Sequence, residues 1–97
     1  MKTLEEIRAI IRQHQPELRE RYGVTVAGLF GSYVRGDQRP DSDLDVLVDI
    51  VRPISLFELV GAEIYLEELL QIDVDIVPQR TLREELRDSI LAEALPV

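Results

Sequence analysis

The chain has 97 residues, nineteen of them acidic and eleven basic, for a formal charge of −8, with 45% hydrophobic and 31% charged residues. That size suits one domain, residues 1–97, with a thin core, since a chain this short buries only roughly 60–65% of its unfolded surface. The absence of cysteine excludes a disulfide framework and a thiolate metal site, the negative surface argues against general nucleic-acid binding, and no run approaches the ~20 apolar residues of a membrane span.

Four helical patterns alternate with three short apolar strands. The N-terminal stretch MKTLEEIRAIIRQHQPELRE is charged and amphipathic and lacks the features of a signal peptide, so a cytoplasmic location is the default expectation. Thr3 and Glu6 have the spacing of a capping box, which places a helix start at Thr3. Leu4, Ile7, Ile10 and Ile11 form its apolar stripe. Pro16 and Gly23 point to a break, with a separate helical turn around Glu17 to Tyr22.

VTVAGLF, Val24 to Phe30, is apolar on both faces and reads as a buried strand ended by Gly31. Ser32 is placed to cap a short helix, and Gly36 to end it. Residues 36–42, GDQRPDS, have the composition of a loop. LDVLVDI, Leu44 to Ile50, is the second strand. Leu44, Val46, Val48 and Ile50 face one way; Asp45, Leu47 and Asp49 face the other.

Pro53 stops that strand, and Ser55 with Glu58 makes a second capping box. Leu56, Leu59, Val60, Glu63 and Ile64 follow at helical spacing, with the helix running to about Leu70. DVDIV, Asp73 to Val77, is a third short strand. Thr81 with Glu84 makes a third capping box, and Leu82, Leu86, Ile90 and Leu91 form the stripe of a last helix. The expected fold is α/β (α+β), a small mixed sheet of about three strands flanked by about four helices.

The stretch Gly31 to Asp45, GSYVRGDQRPDSDLD, concentrates the chemistry. Glycine at position 31 lets backbone approach a ligand without a Cβ in the way. With the Ser32 hydroxyl and the first amides of a helix it would form a phosphate cradle. An ordinary strand-to-helix turn explains the same two residues. Arg35 lies one turn on. It could reach triphosphate oxygens, or pair with Asp41 or Asp43. Ser42 is expected to cap or orient the loop before Asp43.

Asp43 and Asp45, two residues apart at the start of a strand, point to one side. Two adjacent carboxylates repel unless a cation lies between them, and Mg²⁺ takes such hard oxygen ligands. Asp41 reads as ordinary loop. Asp45 sits between Leu44, Val46 and Leu47, where an unpaired charge is costly. If the third strand neighbours the second, Asp75 joins the pair, and three carboxylates resemble a two-metal phosphoryl-transfer site. Asp73 is the competing candidate, but Asp75 lies deeper in its strand. His14, the one histidine, reads as a solvated helix position, and Tyr22, Tyr33 and Tyr65 as packing or surface residues, with Tyr33 close enough to line the site.

Gly31-Ser32, Arg35-Gly36, Ser42-Asp43-Leu44-Asp45 and Val74-Asp75-Ile76-Val77 together resemble the signature of the DNA polymerase β-like nucleotidyltransferase superfamily. Within it the chain is similar to the smallest branch, the minimal nucleotidyltransferase (MNT) proteins. The resemblance implies that Asp43, Asp45 and Asp75 hold Mg²⁺, two ions in all, that ATP is the substrate, and that Gly31 and Ser32, supported by Arg35 and Ser42, contact its triphosphate. Asp75 would also help activate the acceptor hydroxyl. It implies a HEPN-family ribonuclease toxin as partner and an antitoxin role, exercised by adenylylating a toxin tyrosine. Simple neutralisation by contact is the alternative. The acidic surface suits a basic partner. No substrate domain is evident in 97 residues, which disfavours a small-molecule acceptor.

Overall fold

The computed structural model describes residues 2–97. Its elements run α1 (Leu4–Tyr22), β1 (Val24–Phe30), α2 (Ser32–Arg35), β2 (Leu44–Ile50), α3 (Leu56–Leu70), β3 (Val74–Pro78), a 3₁₀ turn (Gln79–Thr81), α4 (Glu84–Glu93) and β4 (Leu95–Pro96). The sheet order is β3-β2-β1-β4. β1 is antiparallel to β2 and β4, and β2 is parallel to β3. The sheet is mixed, as expected, but has four strands.

The extra strand is two residues long and pairs only with Gly28 and Leu29, too short to leave a periodic signal. This end of the chain is held from α1: Arg8 Nε donates to Pro96 O at 2.9 Å and Arg12 Nε to Val97 O, just past the strand, at 3.1 Å.

α1 begins at the predicted box. Thr3 Oγ1 accepts from Glu6 N at 3.1 Å, and Glu6 Oε1 accepts from Thr3 N at 3.0 Å. The break expected at Pro16 does not occur; one helix carries it inside. A proline there removes one i→i−4 bond, and burial of Ile7, Ile11 and Leu18 on the same helix outweighs that loss. Gly23, in the left-handed conformation with φ 67°, ends the helix one residue before β1.

The core lies between the sheet and the helix pair α1 and α3. Ile7, Ile11, Leu18, Val24, Leu29, Leu44, Val46, Val48, Leu66 and Leu70 are all buried there. At ~25 cal/mol per Å² of apolar surface removed from water, this layer is the main stabilising term.

α3 keeps its box, with Ser55 Oγ accepting from Glu58 N at 3.3 Å and Glu58 Oε1 from Ser55 N at 3.1 Å. Of the residues at helical spacing, Leu59 packs against the core and Glu63 is half-buried, but the others do not face inward. Ala62, Leu66 and Leu70 are buried, while Leu56, Val60 and Ile64 are exposed. The helix is apolar on nearly all sides, so two stripes competed and spacing could not choose. Glu63 and Glu67 instead reach the outer edge of β3, where they accept from Ile76 N at 3.2 Å and Val74 N at 3.1 Å. An edge strand otherwise presents open amides.

The third capping box fails. Thr81 is consumed by the 3₁₀ turn, and its hydroxyl donates to Pro78 O at 2.8 Å. α4 starts later, with Arg83 at its N-cap and no side-chain cap bond. Its expected stripe does not form a core either: Leu86 and Leu91 are exposed, and no α4 residue is fully buried.

Candidate active site

β1 and β2 deliver the two halves of the site. β1 ends at Phe30, which pairs with Asp45. The chain then turns through Gly31, with φ 82° and ψ −155°, and enters α2. The N-cap is therefore Gly31 and not Ser32; Ser32 is the first helical residue. α2 has only four residues, too few dipoles for a substantial macrodipole. What the turn offers a ligand is individual donors and close approach.

That approach is tight. A Cβ placed on Gly31 would stand 1.9 Å from Asp45 Oδ2, so only glycine lets the Asp45 carboxylate lie against this turn. Gly36, with φ 81°, closes α2 as expected.

The strand adjacency inferred from sequence is present. β2 and β3 run parallel with Asp45 and Asp75 as register partners, and neighbouring strands lie ~4.8 Å apart. Asp43 precedes β2 and is exposed; Asp45 is half-buried in the strand; Asp75 is exposed on β3. Asp73 falls outside β3. Its backbone carbonyl accepts from Leu44 N at 2.9 Å.

Burial pushes the Asp45 carboxyl above its ordinary value of 3.8, and the charges of Asp75 and Asp43 push the same way. Arg35 opposes them weakly. Asp45 is thus an acid short of positive charge. Asp43, Asp45 and Asp75 are hard-oxygen donors of the kind a divalent cation takes. Among the described residues, no group of three or more acidic, imidazole or thiol side chains is placed to hold a metal ion by itself. Mg²⁺ commonly keeps waters and phosphate oxygens in its shell and does not need one.

Arg35 does not pair with Asp41 or Asp43. Its Nη1 lies 3.0 Å from Glu93 Oε1 and its Nε 3.4 Å from Asp37 Oδ2. The bond to Asp37 is the larger influence holding the guanidinium protonated. Ser42 does organise the loop: its Oγ accepts from Arg39 N at 2.8 Å, and its N–H donates to Arg39 O at 3.0 Å. Ser42 and Tyr33 also line a cavity of about 380 Å³ with Pro40, Glu67, Gln71, Ile72 and Asp73. It opens beside the acid cluster and not over it.

One residue at the site went unread in the sequence. Glu93, the last residue of α4, places Oε1 2.9 Å from Gly31 N and 3.0 Å from Arg35 Nη1. A helix register for residues 84–93 would have put Glu93 in the final turn, but nothing local indicated that this turn folds back onto Gly31. His14 is half-buried rather than solvated, with Nδ1 2.8 Å from Ile10 O and its ring edge toward Tyr65. It lies on α1, away from the acids.

Comparison with known proteins places this geometry. The nucleotidyltransferase domain family matches residues 11–97. A protein adenylyltransferase, MntA, of Thermococcus cleftensis is 46% identical over 97 residues, covering 100% of this chain and 98% of that protein. A Methanocaldococcus jannaschii protein provisionally named a protein adenylyltransferase is 46% identical over 82 residues, or 84% of each chain. A solved structure provisionally described as a minimal nucleotidyltransferase superposes with a TM-score of 0.81 at 38% identity, covering 99% of this chain and 97% of that one. A chain from the solved complex of a tri-AMPylated Shewanella oneidensis HEPN toxin with an MNT antitoxin gives a TM-score of 0.64 at 20% identity, over 93% of this chain and 70% of that one. At that identity the likeness is one of fold.

Proposed function

The chain belongs to the nucleotidyltransferase domain family, and from that premise we propose that it is a Mg²⁺-dependent protein adenylyltransferase. It moves AMP from ATP onto a hydroxyl, a tyrosine of a HEPN-type toxin partner, and so acts as that toxin's antitoxin. The observation that carries this reading is the alignment of Asp45 with Asp75 across parallel strands, with Asp43 two residues away and the Gly31 turn against Asp45.

In this reading Asp43, Asp45 and Asp75 hold Mg²⁺, which neutralises the triphosphate and the charge that develops on transfer. The protein's own share is placement. Gly31 admits the triphosphate close to Asp45. The Ser32 hydroxyl and the first amides of α2 donate to its oxygens. Arg35 supplies a cation beside them, and Ser42 holds the loop that carries Asp43. Asp75 stands where an acceptor hydroxyl is oriented. Such chemistry is mostly positioning and charge stabilisation.

The acceptor comes from the partner. The formal charge of −8 suits a basic protein surface. No described helix is long and apolar enough to cross a membrane.

The test is transfer of label from α-labelled ATP to a HEPN-type toxin protein, with Mg²⁺ and both proteins folded. Label on a partner tyrosine is expected, and its absence counts against the reading. Asp43→Asn with Asp45→Asn should abolish both label and protection from the toxin. Protection that survives without label would mean that the chain neutralises its partner by contact alone.

A further inference from the structure

We propose that Glu93 is a positioning residue of the nucleotide site, holding the Gly31 turn and the Arg35 guanidinium in the geometry that receives a triphosphate. The inference rests on the nucleotide reading above and adds a residue to it from the far end of the chain. Glu93 lies 62 residues from Gly31 and 58 from Arg35. A single oxygen, Oε1, accepts from both, at 2.9 and 3.0 Å.

The first argument concerns the turn. Gly31 is the N-cap of α2 and has no side chain with which to fix itself. Its φ of 82° belongs to a region that glycine enters freely and leaves as freely. The orientation of this one peptide decides where Ser32 points, and it sets the gap to Asp45 Oδ2. A charge-assisted bond from Gly31 N to Glu93 is what holds it. An amide N–H makes one good hydrogen bond at a time. With Glu93 on the Gly31 amide, the turn serves a ligand through Ser32 and through its lack of a Cβ, while its own N–H does the bracing.

The second argument concerns Arg35. Its side chain is 51% exposed, and an arginine so exposed loses much rotamer entropy on binding a phosphate. Glu93 takes Nη1 and Asp37 takes Nε. The two carboxylates fix the guanidinium plane, and Nη2 has no partner among the described residues. The Nη2 amino group is the donor left for a phosphate oxygen.

The third argument separates position from stability. The C-terminal segment has anchors besides Glu93: β4 pairs with Gly28 and Leu29, and Arg8 and Arg12 hold the Pro96 and Val97 carbonyls. Loss of the Glu93 carboxylate therefore leaves the segment attached while freeing Gly31 and Arg35.

The experiment measures Mg²⁺-ATP affinity by titration calorimetry for the wild-type chain, Glu93→Ala and Glu93→Gln, with the ligand-free thermal midpoint and the Gly31 amide resonance recorded for each. Glu93→Ala is expected to bind roughly tenfold more weakly, the size expected for a lost charge-assisted bond, with the midpoint nearly unchanged and the Gly31 amide shifted. Glu93→Gln keeps an acceptor oxygen for Gly31 and should recover part of the affinity. It also stands in if the alanine variant does not fold. In the transfer reaction the loss should fall on the KM for ATP more than on kcat. Unchanged affinity in both variants overturns the proposal. So does tighter binding, which would make Glu93 a competitor of the triphosphate. A wild-type chain that binds no Mg²⁺-ATP sinks the nucleotide reading and this inference together, whereas wild-type binding that ignores Glu93 sinks this inference alone.

Discussion

Gly31 and Asp45 are in contact across the end of β1, and the space between them has no room for a methyl group: a Cβ on Gly31 would lie 1.9 Å from Asp45 Oδ2. Gly31→Ala must either move Asp45 or reshape the turn. The positive φ of 82° alone costs an alanine about 1–2 kcal/mol. At ~4–8 °C per kcal/mol for a domain of this size, thermal melting should show a drop of roughly 10 °C. Transfer activity should fall further than the fraction unfolded explains, and an alanine variant with full activity would show that the contact is dispensable.

Asp45 gives stability a pH dependence and, under the proposed function, a Mg²⁺ dependence. Its carboxyl is raised above 3.8 by burial, then by Asp75 and Asp43. An acid whose folded pKa is raised favours the folded state below its unfolded value, and that contribution is lost as pH rises through the folded value. The metal-free protein should therefore carry its electrostatic penalty at neutral pH and shed it as the pH falls through the Asp45 range. Mg²⁺ binds the ionised form, so the rise in melting temperature it gives should be largest at neutral pH and shrink on acidification. Asp45→Asn should raise the metal-free midpoint by a few degrees and remove the Mg²⁺ response.

Gln71 ends α3 in the left-handed conformation, with φ 58°, the one non-glycine residue with positive φ among those described. Glycine is the residue suited to that position. Gln71→Gly should stabilise the fold by about 0.5–1 kcal/mol, although loss of the bond from Gln71 Nε2 to Glu68 O at 2.6 Å trims the gain. Urea titration will register it as a higher midpoint with unchanged slope.

The two remaining capping motifs should differ from the failed one. Thr3→Ala and Ser55→Ala each remove a working cap and should cost about 1 kcal/mol. Thr81→Ala removes only an exposed hydroxyl bond to Pro78 O and should cost less. Equal losses at all three positions would contradict the observed helix starts.

Much of the candidate site could be proposed from residue order. Asp43, Asp45, Gly31, Ser32, Arg35 and Ser42 fall within a stretch of 15 residues, so their proximity follows from one turn and one strand. Asp75 required the extra assumption that β2 and β3 are neighbours, and the parallel register supplies it. The failures share one cause. The partly misread face of α3, the missing box at Thr81 and the unforeseen partner of Arg35 all depend on what packs against an element, and periodicity describes an element alone.

By itself the sequence determined the types of the main elements, two helix starts, the limits of β2 and the acid pair at its start, because capping, alternation and turn chemistry act over three or four residues. Only the tertiary structure decided that Asp75 stands level with Asp45, that a short fourth strand closes the sheet, and that Glu93 returns to brace Gly31 and Arg35. Those contacts join residues 30 to 68 positions apart, and at that separation the packing of the whole core chooses the neighbours.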